Sequence, residues 1–335
     1  MTEPPAIGIL LPMAGRGMSA AQLLGELTAE VQAAEEAGLD LALMPEHHVG
    51  PPGSLTSPLT VAGWLLARTS RIRIGTGVLL LPLHPVVRVA EEVALLQQAS
   101  NGRLILGVGA GYQEADFALF GVDRRRRTWL LEQALAELRA SWNGEPVRDV
   151  AVRPGLEGTQ PPPVWLGAWS EPGVRRAARL ANGWIADPVR TAGEVAGMAR
   201  LYRDTCGGGS GHVVVMREGW VGTDTTTARA VYGPAVTPVY RYYLRSGAFP
   251  AGSGVTEADL TFDGALGERV VVGSPADVAD GLASLVERTG ADAIVLALRH
   301  PGGPPHAEVL EAIRLLGTEV RPRLAERLAS REAIA

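Results

Sequence analysis

The sequence contains no lysine, one cysteine and four phenylalanines in 335 residues. Each shortage closes a route. Without lysine there is no Schiff-base chemistry and no Walker-type phosphate loop, which needs that side chain on the phosphates. With Cys206 alone there is neither an intrachain disulfide nor a cysteine metal site. Its setting, "RDTCGGGSG", is a helix end, and it reads as structural. No apolar run approaches the roughly 20 residues that span a bilayer. "MTEPPAIGILLP" has no basic stretch ahead of its apolar residues, so it does not read as a signal peptide, and the expected address is the cytoplasm. A net charge of −5 argues against nucleic-acid binding.

What is present is alternation. Apolar runs rich in Val, Ile and Leu fall at 6–12, 40–45, 72–81, 103–111, 163–169, 183–187, 212–222 and 292–298. Their apolarity is continuous, as strands buried on both faces require. Amphipathic segments lie between them, with helix signals such as Gly38 at a C-terminus and Pro85 at a first turn. Eight strand–helix alternations without a second compositional block predict one α/β domain over 1–335, a single (β/α)8 barrel with insertions after strands 4 and 7. Residues 143–162 read as a loop excursion. In 223–268, a helix broken at Pro234 and Pro238 precedes a segment that reads as mobile; a loop of that length in a compact domain is usually functional.

In such a barrel, chemistry collects at the C-terminal ends of the strands. "MPEHHVGPPGS" (44–54) puts Glu46, His47 and His48 at that rim. Adjacent histidines diverge, and no Asp, Glu or His cluster at supporting spacing accompanies them, so no metal is expected. His47 reads as a hydrogen-bonding or acid–base group; the alternative is one packed and one exposed histidine. His84 reads as structural at a strand–helix junction. "GTG" (75–77), "GVGAGY" (107–112) and "GAWSEPG" (167–173) gather glycines at the same rim. They fit a flat ligand against backbone, or equally barrel-corner bulges. Ser170 caps a helix start that suits a phosphate or serves as an ordinary cap. In "DRRRR" (123–127), Arg126 or Arg127 could reach an anion; the alternative is a solvated helix start.

Residues 35–123 carry "EEAGLDLALMPEHH" and "TSRIRIGTGVLLLPLHPVVRVAEEVALLQQASNGRLILGVGAGYQEADFALFGVD", and "VGSPADVADGL" follows later. Together they resemble the bacterial luciferase-like flavin monooxygenase superfamily over nearly the whole chain. The resemblance implies a non-prolyl cis peptide at Gly77–Val78 backing the flavin ring, and places the histidine of flavin–oxygen chemistry at His47. It implies a cofactor set of Thr76, Gly77, Val78, Gly109, Ala110, Arg127, Ala168, Trp169, Ser170 and Gly173. Two positions depart from the luciferase pattern: Ala110 stands where a phosphate-binding arginine would be, and Trp169 where an acid would be.

The implied reaction is a two-component monooxygenation of a small organic substrate. Reduced FMN would come from a separate flavin reductase, because no G-x-G-x-x-G unit for NAD(P)H is present, and oxygen would react through a C4a-(hydro)peroxyflavin. Such chemistry needs a dry pocket, with Leu10, Val78 and Leu79 as walls. The 223–268 insert would be a substrate lid, with Tyr240, Tyr242, Tyr243 and Phe249 closing over the substrate or packing a helix. Part of the superfamily uses a deazaflavin coenzyme for hydride transfer, and a flavin-binding protein without turnover is a third reading. A homodimer is implied, with 59–67 apolar enough to serve as its contact.

Overall fold

The computed structural model describes residues 4–50, 53–208, 211–250 and 252–332. Pro51 and Pro52 of the loop after His48, and Ala251 within the insert, lie outside the described residues. The strands are β1 (Ala6–Leu10), β2 (Leu41–Met44), β3 (Arg73–Leu79), β4 (Leu104–Gly109), β5 (Val164–Gly167), β6 (Gly183–Ala186), β7 (His212–Val221), β8 (Val270–Gly273) and β9 (Ala293–Ala297). The helices are α1 (Ala20–Glu36), α2 (Pro58–Leu66), α3 (Val86–Ala99), α4 (Glu114–Phe120), α5 (Arg127–Trp142) and α6 (Glu171–Leu180). They continue with α7 (Ala192–Thr205), α8 (Thr225–Arg245), α9 (Pro275–Thr289), α10 (His306–Leu315) and α11 (Arg321–Glu332). Among the described residues, no helix is long and apolar enough to cross a membrane.

All strand pairings are parallel, and β9 pairs with both β1 and β7 while β6 also pairs with β7. Strands β1 to β7 and β9 thus close a single (β/α)8 barrel. Closure explains the continuous apolarity: one face of each strand packs on helices and the other fills the barrel. Leu41, Leu43, Ile105, Trp165, Ile185, Val214, Met216, Ala293 and Val295 form the inner cluster. Helix starts are set locally by reciprocal caps, Ser19 with Gln22, Thr191 with Glu194 and Ser274 with Asp277.

Two expectations are corrected. The ninth strand, β8, is absent from the sequence reading. Its four residues pair only with the far half of β7, Glu218 to Val221, outside the closed barrel. Helix α8 is not broken: it runs 21 residues through Pro234 and Pro238. The prolines lie four apart, on the same exposed side, opposite buried Tyr232, Val236 and Tyr240. Carbonyls freed by the missing amides therefore face water, and packing of the other side carries the helix.

The β3–β4 contact is the tightest constraint near the mouth. A Cβ on Gly107 would lie 2.0 Å from the Thr76 carbonyl oxygen. Gly25, on an exposed face of α1, has nothing within 4 Å of such a Cβ. Gly107→Ala is expected to destabilise by about 1–3 kcal/mol or more through overpacking. Gly25→Ala is expected to stabilise by about 0.5–1 kcal/mol through helix propensity. Denaturant unfolding of the two variants checks the pair, and equal midpoints would contradict the close approach.

Candidate active site

The rim begins where β2 ends. Glu46 is buried, and its Oε1 accepts from His48 Nε2 at 2.8 Å and from His84 Nε2 at 2.7 Å, while Oε2 accepts from the Leu80 amide. Burial alone would raise this carboxyl. Hydrogen bonds from His84, Leu80 and His48 overcome that and hold it below the usual carboxylate range. One side chain thus ties the end of β2 to the turn after β3. The amides of His48 and Val49 both lie 3.3 Å from Asp116 Oδ1 on α4, and the His48 ring packs against Phe120 at 4.4 Å. The expectation that the pair lacks clustered partners is corrected, because the fold brings in His84 from 38 residues away. Glu46, His48 and His84 place three potential ligand atoms within 4.8 Å of one another. Their separations are those of hydrogen bonds, and the trio works as a tie.

His48 is therefore committed to framework and His47 is not. His47 is open to solvent but sits in the concavity of the mouth, where crowding by protein lowers its pKa below the ordinary imidazole value. The carboxylates of Asp116 and Glu46 oppose that shift. Its Nδ1 lies 3.2 Å from Gln113 Nε2, which also reaches the Tyr112 hydroxyl at 3.5 Å. An amide N–H donating to Nδ1 puts the proton of the neutral ring on Nε2.

Strands β3 to β5 supply a flank almost without side chains. The Gly77–Val78 peptide is cis. Pairing of β3 with β4 shifts register between Thr76 and Leu79, and Val78 joins the inner cluster beside Leu10. A Cβ on Gly109 would lie 2.6 Å from Val78 Cγ2, and one on Gly167 would lie 3.0 Å from Val78 Cγ1. Val78 thus takes the space that side chains on β4 and β5 would need. Two expected site residues point away from the mouth in this structure. Leu79 turns into the outer core, and Thr76 is buried with its hydroxyl donating to the Gly107 carbonyl at 2.6 Å. Ala168 is also buried, its carbonyl accepting from Trp184 Nε1 at 3.1 Å. Ala110 and Trp169 are half-buried, and the Trp169 ring lies 4.8 Å from that of Tyr112.

At the start of α6 the Ser170 hydroxyl accepts from the Gly173 amide at 3.4 Å, and a Cβ on Gly173 would lie 2.9 Å from the Ala168 Cβ. Pro172 has no amide hydrogen, so the first turn offers an anion fewer donors than expected. In the arginine run, Arg124 pairs with Glu114, Arg125 with Asp123, and Arg126 lies over Trp129 at 4.7 Å. Arg127 is half-buried and donates to the Arg124 carbonyl. Glu132 on α5 pairs with Arg176 on α6 at 2.6 Å. Arg127 and Ser170 stand at the starts of these two paired helices.

The opposite flank holds a residue that the sequence reading missed. Glu218 continues the inward series Val214–Met216 along β7, one layer nearer the mouth. It is buried, and burial pushes its carboxyl up to about 7. Its partners are the hydroxyls of Tyr240 at 3.0 Å and Tyr243 at 3.5 Å. Of the two tyrosines expected at the substrate pocket, Tyr240 is buried and Tyr243 is half-buried. Tyr242, half exposed on α8, lies close enough to the Tyr112 phenol to affect it. A charged pair, Arg217–Glu218, inside an otherwise apolar strand was the available signal.

Comparison with known proteins agrees with this geometry. The alkanal monooxygenase alpha chain of Photorhabdus luminescens is 29% identical over 179 residues, 51% of this chain and 50% of that one. The chain spans about a quarter to three-fifths of the length of the curated relatives it matches. Among solved structures, monooxygenase RslO1 of Streptomyces bottropensis superposes with a TM-score of 0.82 at 22% identity, covering 95% of this chain and 99% of that one. The oxygenating constituent of 3,6-diketocamphane monooxygenase from Pseudomonas putida, solved with FMN, gives 0.79 at 19% identity, covering 95% and 98%. A coenzyme F420-dependent tetrahydromethanopterin reductase from Methanopyrus kandleri gives 0.72 at 17%, covering 96% and 99%. At these identities the superpositions establish the fold. The family model for luciferase-like monooxygenases matches residues 6–293, and this chain belongs to that family.

Proposed function

We propose that the barrel mouth binds reduced FMN, delivered by a separate reductase, and that the protein oxygenates a small organic substrate there. The observation that carries this reading is the flank of Val78, Gly109 and Gly167 beside His47. A planar ring needs a surface without protruding side chains, and a Cβ at Gly109 would collide with Val78 while one at Gly167 would crowd it. Arg127, with the start of α6 at Ser170, would take the phosphate end. Bound reduced flavin supplies the electrons that activate oxygen. His47, neutral at pH 7 because its pKa is lowered, presents Nε2–H as a proton donor at the mouth. Leu10 and Val78 supply apolar wall that keeps water from the reacting atoms.

With photoreduced FMN and oxygen, the wild-type protein is expected to show a transient absorbance distinct from reduced and oxidised FMN. In His47→Ala its lifetime is expected to fall about 100-fold, while reduced FMN still quenches tryptophan fluorescence. A transient unaffected by the substitution removes His47 from the chemistry.

A second reading is hydride transfer from a deazaflavin coenzyme. Ala110, standing at the end of β4 without a cationic side chain, favours it, as does the likeness to the F420-dependent reductase. Parallel fluorescence titrations separate the two: FMN is expected to bind at least tenfold tighter than the deazaflavin, and the reverse order favours hydride transfer.

We also infer a homodimer. Trp64, within the 59–67 segment on α2, and Leu95 on α3 are exposed on neighbouring helices, giving an apolar surface there. Light scattering is expected to give twice the 35.2 kDa chain mass, and Leu95→Glu is expected to shift it toward the monomer. A wild-type monomer rules the dimer out.

A further inference from the structure

The tyrosines at Glu218 pose a counting problem. Tyr240 Oη lies 3.0 Å from the Pro188 carbonyl oxygen and 3.0 Å from Glu218 Oε2. A phenol has one hydrogen, and a peptide carbonyl can only accept. Both contacts are hydrogen bonds at once only if Tyr240 donates to Pro188 and accepts from a protonated Glu218. The order is then Glu218 Oε2–H to Tyr240 Oη–H to the Pro188 carbonyl. The other oxygen, Oε1, remains free to accept from Tyr243, 3.5 Å away. Ionised Glu218 has no hydrogen to give, and one of the two Tyr240 contacts is lost.

The chain spans three elements that frame the mouth. Glu218 stands where β7 is paired on one side with Ala297 of β9 and on the other with Val270 of β8. Pro188 lies in the loop after β6. Tyr240 and Tyr243 belong to α8, whose neighbouring Tyr242 reaches Tyr112 at the end of β4. We propose that Glu218 is a positioning residue that works in its protonated form: through Tyr240 it fixes α8 over the barrel mouth, and its ionisation releases that helix. The inference rests on the reading that the mouth is the cofactor site.

Other charged and titratable groups pack around Glu218 from each neighbouring element. On its own strand, Arg217 is a buried cation. Arg217 Nη1 donates to the carbonyls of Asp187 and Met216. From the loop after β6, Asp187 pairs with Arg190 at 2.6 Å. From the segment before β8, Arg269 donates to the carbonyls of Val189 and Ala265. From α8, burial keeps Tyr232, Tyr240 and Tyr243 as phenols. From the end of β9, burial holds His300 neutral by lowering it to about 4. Burial raises Glu218 to about 7, so its own charge changes near neutrality.

Glutamine is nearly isosteric with the protonated acid, with a donating nitrogen in place of the hydroxyl and the same accepting oxygen, so Glu218→Gln mimics a permanently closed form. Hydrogen–deuterium exchange of the full chain, read on peptides covering 225–245 and corrected for intrinsic rates, tests the proposal. Protection of the Tyr240 end in wild type is expected to fall about tenfold between pH 6 and pH 8, the change in protonated fraction for a group at about 7. Glu218→Gln is expected to stay at the pH 6 level throughout, and Tyr240→Phe to be unprotected at both. If Glu218→Gln shares the wild-type pH dependence, or loses protection as Tyr240→Phe does, the proposal fails. Reduced FMN added to the same proteins separates the two layers. Release expected to be tenfold faster at pH 8 in wild type, and unchanged in Glu218→Gln, supports both. Absence of FMN quenching at pH 6 with the exchange pattern intact overturns the cofactor reading and leaves the role of Glu218 standing.

Discussion

The backbone of β3 and the backbone of β4 touch at Thr76 and Gly107 with no side chain between them. That contact requires glycine, and it governs what surrounds it. It brings β3 close enough for Thr76 to donate to the Gly107 carbonyl. Beyond it, the register shift turns Val78 inward and Leu79 outward. Val78 then covers Gly109 and Gly167. The bare flank at the mouth follows from one close approach of two strands, and a larger residue at any of these positions would alter the surface offered to a planar ligand.

The mouth is chemically divided. Strands β3 to β5 give backbone, glycine and aliphatic surface. Strand β7 and helix α8 give a carboxyl and phenols centred on buried Glu218 and Tyr240, where low dielectric strengthens each hydrogen bond and penalises any left unmade. Between the flanks, at the end of β2, sits His47, its Nδ1 held by Gln113. Glu46 supports this arrangement from behind. By taking two imidazoles and an amide on one carboxylate, it fixes the turn after β3 against the end of β2 and leaves His47 as the member of the pair facing the mouth. The division suits a redox ring lying on one side and a substrate approached by polar groups from the other.

Much of the barrel was legible in the sequence because a strand buried on both faces must be apolar throughout, and eight such runs are hard to miss. Strand β8 was not legible: "VVVG" is too short to stand out and pairs outside the barrel. The continuity of α8 was hidden because proline is a local signal, whereas the helix is held by Tyr232, Val236 and Tyr240 on its opposite side. At the site, His47, Val78 and Gly109 stand at the rim where the strand ends put them. Leu79 faces the outer core because alternation along β3 resets at the register shift. His84 and Glu218 escaped notice for different reasons. The first is joined to Glu46 only in three dimensions, and the second is a charge whose partners lie on a helix 22 residues further along.

The account stands on the mouth as a seat for a planar tricyclic cofactor. Crystals of the protein grown and soaked with reduced FMN under anaerobic conditions test this directly. The account predicts ring density lying on Val78 between Gly109 and Gly167, with His47 beside it and the phosphate toward Arg127 and Ser170. Density for the ring elsewhere, or a mouth that stays free of it at saturating FMN, would contradict it.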